Sequence, residues 1–120
     1  MSERKLTSTN LLNEAFLEER CVLNKVLKLA SQRWAAEILL LTEIEPVRFS
    51  QLKLQLVGIS DMALSRGLTE LLAAGLLSKT VFQEVPVRVE YQLTRGGQEL
   101  VGLLHALCQW GKLHVETGLD

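Results

Sequence analysis

Two cysteines and two histidines are the residues of this chain whose side chains could do metal or redox chemistry. Zinc ligands pair at short spacings such as Cys-x₂-Cys or His-x₃-His, and neither pattern occurs here; His105 and Cys108, at positions i and i+3, could supply only half of a site. A reactive thiolate needs a nearby cation and exposure, and Cys21 has Arg20 beside it and Lys25 one turn further on. We therefore expect no metal and no cofactor. The sequence leaves two roles open for Cys21, that of a redox sensor and that of a small buried hydrophobic residue.

No segment of the chain shows a pattern typical of an enzyme. We find no glycine-rich phosphate loop, no carboxylate pair in an apolar setting and no nucleophile elbow. Ser60 directly precedes a helical pattern, so it is predicted to cap that helix rather than to act as a nucleophile. The sequence therefore predicts a binding protein and no catalytic residues.

The composition is that of one helical domain. Its 120 residues suit a single domain, and 26 leucines among 48% hydrophobic residues favour helix over a β-sandwich. The apolar content and a net charge of −1 exclude disorder. The longest aliphatic run, residues 38–41, is far shorter than the roughly 20 residues of a membrane span, and residues 1–5 lead into no secretory signal. We expect a cytoplasmic protein, whose pI near 6.1 weighs against DNA binding.

Apolar residues with helical spacing predict the elements before Pro46. A polar, frayed tail is expected at residues 1–9 and a helix at residues 10–30. A second helix follows, contains Trp34 and is stopped by Pro46. Both Trp34 and Trp110 are expected to contribute to the core.

Capping signals divide the next segment into two short helices. Phe49 and Ser50 are predicted as the hydrophobic staple and N-cap of the first, which ends near Gly58. Ser60 is predicted to cap the second, which ends at Gly75. Two helices joined by so few residues indicate a helix-turn-helix over residues 48–75.

After Gly75 the pattern changes from helical to alternating. Residues 76–94 are predicted to form a β-hairpin, and Thr94 to cap a last helix over residues 95–117. A helix-turn-helix followed by a hairpin is the order of a winged helix. The predicted fold is therefore mainly α with a small β-hairpin wing, flanked by extra N- and C-terminal helices for dimerisation.

Short segments of the sequence match, in order, those of one known family. They are Cys21 placed thirteen residues before Trp34, and residues 48–52, 58–60, 71–76, 85–94 and 107–111. On these segments the chain resembles the HxlR-type family of bacterial winged-helix transcriptional regulators. The resemblance implies a homodimer held by the terminal helices and bound to double-stranded operator DNA. It also implies that Cys21 occupies the position where several members sense small electrophiles or oxidants.

In a helix-turn-helix, the second helix enters the major groove and presents its N-terminal residues to base edges. Arg66 is the predicted base reader, because a guanidinium can pair bidentately with guanine and discriminate by about 1–3 kcal/mol. Phosphate contacts are expected from Arg48 and Lys53 and, on the hairpin, from Arg88. The complete predicted DNA-binding set is Arg48, Ser50, Lys53, Ser60, Asp61, Met62, Ser65, Arg66, Thr69 and Arg88.

The terminal helices carry more apolar surface than one small winged-helix core can cover. A patch of that size indicates an interface. The predicted dimer interface comprises Leu12, Phe16, Leu23, Leu103, Leu107 and Trp110.

The charge distribution leaves two functions open. Residues 48–95 hold six basic and four acidic residues, a net of +2, but Arg66 is the one cation of the predicted recognition helix. Leu54, Met62 and Gly67 stand where the family usually carries basic or polar residues. The favoured function is a dimeric regulator that reads a pseudo-palindromic operator. The alternative is a winged-helix dimer with a degenerate DNA face that acts as a protein-interaction or small-ligand-binding module.

Overall fold

The computed structural model describes the backbone of residues 2–115 and the side chains of residues 13–115. The chain forms two compact units, Met1–Gln32 and Arg33–Asp120. Within the described residues, no helix is long and apolar enough to cross a membrane. The elements are α1 (Ser2–Ala30), α2 (Ala35–Leu41), α3 (Phe49–Gln55), α4 (Asp61–Ala73), β1 (Leu77–Phe82), β2 (Arg88–Leu93) and α5 (Arg95–His114).

Helix α1 makes up the first unit. It begins at Ser2, so it includes most of the predicted tail, where Glu3, Arg4 and Lys5 are all good helix formers. Every side chain described between residues 13 and 28 is exposed, so the apolar side chains in that range are uncovered in the single chain.

Helix α2 opens the second unit and supplies two of its fully buried side chains. Ile38 and Leu39 are at most 1% exposed. The buried Thr42 hydroxyl lies 3.0 Å from the Ile38 carbonyl and 2.9 Å from that of Leu39, so it is satisfied within the helix. Trp34, which precedes the helix, has a φ of 75°, a left-handed conformation that costs a non-glycine residue about 1–3 kcal/mol. Its side chain is half-buried rather than in the core.

Helices α3 and α4 form the predicted helix-turn-helix. The N-cap of α3 is Arg48, not Ser50, and Phe49 is the first helical residue rather than a staple. The helix begins there because the Gln51 side-chain oxygen accepts from the Arg48 N–H (2.8 Å), a contact between the N-cap and the third helical residue. The turn ends at Gly58, whose φ of +87° is a left-handed conformation that glycine adopts freely.

At the start of α4 the structure has the N-cap that the sequence predicted, and the inner face of the helix is apolar. The Ser60 hydroxyl accepts a hydrogen bond from the Ala63 N–H (3.0 Å). Leu64 and Leu68 are at most 2% exposed. Gly67 faces α2, where a Cβ would lie 3.2 Å from Ile38 Cδ1. Its small size therefore allows the close approach of α4 to α2.

Strands β1 and β2 pair antiparallel, with Leu77 opposite Leu93 at one end and Phe82 opposite Arg88 at the other. The sequence predicted this hairpin, but not that Val47 would join it. Val47 exchanges two backbone hydrogen bonds with Tyr91, of 2.9 and 2.8 Å. This bridge ties the segment before α3 to the wing.

Helix α5 is held at its start and exposed along its outer face. The Thr94 hydroxyl accepts from the Gly97 N–H (3.1 Å), which confirms the predicted cap. Val101 is buried, whereas Trp110 is 56% exposed and stacks on His114. Trp110 is therefore not a core residue of the single chain, because it lies on the outer face of α5.

Candidate nucleic-acid interface

The outer face of α4 presents the residues predicted for the major groove. They lie opposite the buried leucines, and all of them are exposed: Asp61, Met62, Ser65, Arg66 and Thr69. Among the described residues, Arg66 has no ion-pair partner. Its guanidinium is therefore available to an external acceptor. The Thr69 hydroxyl already donates to the Ser65 carbonyl (2.8 Å) and keeps only its acceptor capacity.

Lys53 and Asp61, both predicted DNA contacts, are partners of each other. Lys53 Nζ lies 3.1 Å from Asp61 Oδ1 and 2.5 Å from the carbonyl oxygen of Ile59. Lys53 on α3 thus forms a hydrogen bond with the turn and an ion pair with the first residue of α4. This arrangement fixes the start of α4 and neutralises the charge that was expected to meet phosphate.

Arg88 is also engaged within the protein. Its two terminal nitrogens lie 3.0 Å from Glu84 Oε1 and 2.8 Å from Glu90 Oε2. Its Cζ stands 3.8 Å from the centre of the Phe82 ring, a cation–π geometry. These contacts keep Arg88 and Glu90 half-buried. The two carboxylates outweigh the single guanidinium, so this part of the wing carries a net negative charge.

Three cations within residues 48–95 are exposed and have no ion pair among the described residues: Arg48, Arg66 and Lys79. Lys79 lies on β1 and was counted in the charge of the segment but not predicted as a contact. It is the first of three consecutive exposed residues of β1. Ser50 is exposed within the first turn of α3, one residue from Phe49.

The cysteines are both free and exposed, Cys21 on α1 and Cys108 on α5. In the single chain, therefore, neither is a small buried hydrophobic residue. His105 pairs with Glu43 on the segment after α2, at 2.9 Å. Within the part of the chain that the structure describes, no three His, Cys, Asp or Glu side chains come together as metal ligands.

The exposed stripe predicted as a dimer interface is present on both terminal helices. Phe16 and Leu23 of α1 are 61% and 56% exposed, and Leu103 and Leu107 of α5 are 63% and 59% exposed. The side chain of Leu12 lies outside the described residues.

Helix-turn-helix, hairpin and capped last helix define a winged helix-turn-helix protein. A model of the family described as HxlR-like helix-turn-helix matches residues 29–118. The chain therefore belongs to this family of transcriptional regulators, as its motifs indicated. A helix-turn-helix transcriptional regulator of Methanothermobacter thermautotrophicus is 38% identical over 82 residues, which cover 68% of this chain and 63% of that protein. The chain thus spans somewhat less than two thirds of that relative.

Solved structures agree with the fold. A MarR-family transcriptional regulator from Enterococcus faecalis V583 superposes with a TM-score of 0.77 at 29% identity, over 83% of this chain and 91% of the other. The redox regulator HypR in its oxidised form superposes with a TM-score of 0.71 at 26% identity, over 78% of this chain and 97% of the other. These proteins are transcriptional regulators and not enzymes, which confirms the class expected from the sequence.

Proposed function

We propose that the chain is a homodimeric regulator that binds a pseudo-palindromic operator through α4. The observation that carries this proposal is the unpaired Arg66 on the exposed face of a helix whose start is fixed by Ser60 and by the Lys53–Asp61 pair. In a dimer, the two recognition helices would enter successive major grooves, about 34 Å apart. Arg66 would read guanine, and Arg48 and Lys79 would contact phosphates.

Dimerisation would cover the apolar outer faces of α1 and α5. Side chains that are 56–63% exposed, such as Phe16, Leu107 and Trp110, form patches that soluble monomers rarely leave open. Leu12, Leu23 and Leu103 complete the proposed interface.

The base-reading role of Arg66 is tested by its replacement. Arg66→Ala should abolish the preference for DNA from the protein's own upstream region over a shuffled duplex, since a bidentate pair discriminates by about 1–3 kcal/mol. Fluorescence anisotropy with both duplexes measures this preference. Arg95→Ala is the control, because Arg95 is also exposed and lies outside α4. An unchanged preference in Arg66→Ala would remove Arg66 from the interface.

Redox or electrophile sensing is proposed for Cys21. It is an exposed thiol on one of the two helices assigned to the dimer, and the similar HypR is a redox regulator. Modification there would add bulk or charge close to the proposed interface. Cys21→Ser should abolish the response of DNA binding to diamide or a quinone, while Cys108→Ser should keep it. A Cys21→Ser variant that responds like the wild type would make Cys21 structural.

Two observations support the alternative function, a winged-helix dimer whose DNA face is degenerate and which binds a protein or a small ligand. Lys53 and Arg88 are both neutralised by neighbouring carboxylates, and Met62 is 72% exposed on the recognition helix. Absence of saturable DNA binding at low salt would favour this alternative.

A further inference from the structure

An apolar groove runs between α2 and α3. It consists of two neighbouring hollows of about 350 and 380 Å³. The two hollows share Leu40, Leu41 and Gln55. Ile44 and Leu54 line the first hollow, and Trp34 and Val57 line the second. We call this surface the α2–α3 groove.

The groove holds large apolar side chains that face solvent. Ile44 is 92% exposed, Leu54 80% and Val57 85%. None of the three belongs to the core or to the proposed dimer stripe. Contiguous exposed apolar surface on a soluble domain marks an interaction site more often than chance.

The rim of the groove is acidic. Residues 34–47 contain three glutamates and no lysine or arginine. Glu43 pairs with His105, but Glu37 and Glu45 line the groove, and among the described residues no cation lies within ion-pair distance of them. Arg33 and Arg48 are the nearest cations in sequence, neither of them lines the two hollows, and the Arg33 guanidinium lies over the Trp34 ring, 5.1 Å from the ring centre.

We propose that the α2–α3 groove binds an amphipathic helix of another protein, with apolar anchors on one face and basic residues beside them. Two adjacent hollows suit side chains at positions i and i+3 or i+4 of such a helix. Lysine or arginine next to the anchors would meet Glu37 and Glu45. A small ligand fits less well, because ligand pockets enclose most of their ligand, whereas Ile44, Leu54 and Val57 of this groove are themselves 80–92% exposed. The proposal does not depend on DNA binding.

The probe is a fluorescein-labelled peptide of about 18 leucines and lysines with an amphipathic helical pattern. Anisotropy should show saturable binding with a Kd of the order of 10 µM. Ile44→Ser should weaken it about tenfold, as loss of a central anchor does. Val85→Ser is the matched control, since Val85 is also branched and fully exposed but lies outside the groove. Both residues are exposed, so neither change should affect folding.

The acidic rim is tested separately. The Glu37→Gln/Glu45→Gln double variant should weaken binding and flatten its salt dependence, because two of the charges that attract the lysines are gone. A peptide with glutamate in place of lysine should not bind.

Three results would overturn the proposal. One is equal binding of the lysine and glutamate peptides, and another is an equal loss in Ile44→Ser and Val85→Ser. The third is a pair of observations. Peptide binding weakens as the protein concentration rises, and the Ile44→Ser protein shifts towards monomer in sedimentation. That result would show that a second copy of this chain covers the groove.

Discussion

Replacement of Lys53 distinguishes two roles for its side chain, stabilising the start of α4 and contacting a DNA phosphate. Lys53→Gln removes the ion pair with Asp61 at 3.1 Å and the charged hydrogen bond to the Ile59 carbonyl. The two side chains are 38% and 78% exposed, so the ion pair itself contributes at most about 1 kcal/mol. The hydrogen bond adds a similar amount. We expect the free energy of unfolding to fall by about 1–2 kcal/mol per protomer.

The same substitution has a distinct expected effect on DNA binding. Each phosphate that a cation neutralises contributes about −0.9 to the slope of log K against log[salt]. If Lys53 only stabilises the fold, the slope of the variant equals that of the wild type within error. If it contacts phosphate, the slope becomes shallower by about 2 in a dimer, since two copies are lost.

The assay pairs urea unfolding with a salt titration of DNA binding, at one fixed protein concentration because stability of a dimer depends on it. Arg48→Gln is the matched control, because its exposed side chain has no ion pair among the described residues. We expect this control to change the slope and to leave stability nearly unaltered. A Lys53→Gln protein of wild-type stability whose slope becomes shallower by about 2 would refute the reasoning.

Two further substitutions test the last helix. Gly97→Ala should destabilise the protein by about 2–4 kcal/mol in urea unfolding, because its Cβ would collide with the Leu76 carbonyl oxygen. Gly102 has open space around it, so Gly102→Ala should be neutral or stabilising by about 0.5–1 kcal/mol. Equal effects of the two substitutions would contradict the close packing at Gly97. Leu107→Asp should shift the protein towards monomer in sedimentation equilibrium at micromolar concentration, while Val85→Asp should not. A Leu107→Asp protein that stays dimeric would place the interface elsewhere.

The elements of the fold were predictable because each boundary has a local signal. Ser60 and Thr94 cap the helices that they precede, and Gly58 and Gly75 have the positive φ that their place after a helix requires. A cap or a left-handed turn involves residues only a few positions apart, so its chemistry is visible in the sequence.

The state of the cations in the site was not predictable in the same way. A count of charges gives the winged helix a net of +2, but it does not show that Lys53 is held by Asp61 or Arg88 by Glu84 and Glu90. Such pairs depend on the angle of a turn and the register of a hairpin. The bridge between Val47 and Tyr91 joins residues 44 positions apart, and no local pattern signals it.

The internal pairing has a consequence for how the protein would discriminate DNA. With Lys53 and Arg88 neutralised, Arg48 and Lys79 are the cations left for phosphate, about four contacts in a dimer. Four contacts correspond to a slope near −4, and so to an affinity loss of about 10²-fold between 50 and 200 mM salt. Non-specific binding would be weak, and selectivity would rest on Arg66.

A salt titration of binding to the duplex upstream of the protein's own reading frame tests the central claim most directly. We predict saturable binding at about 50 mM salt with a slope near −4. A slope near −7 would show that the paired lysine and arginine also reach phosphate. No saturable binding at that salt concentration, where electrostatic contacts are strong, would contradict the assignment of α4 as a recognition helix.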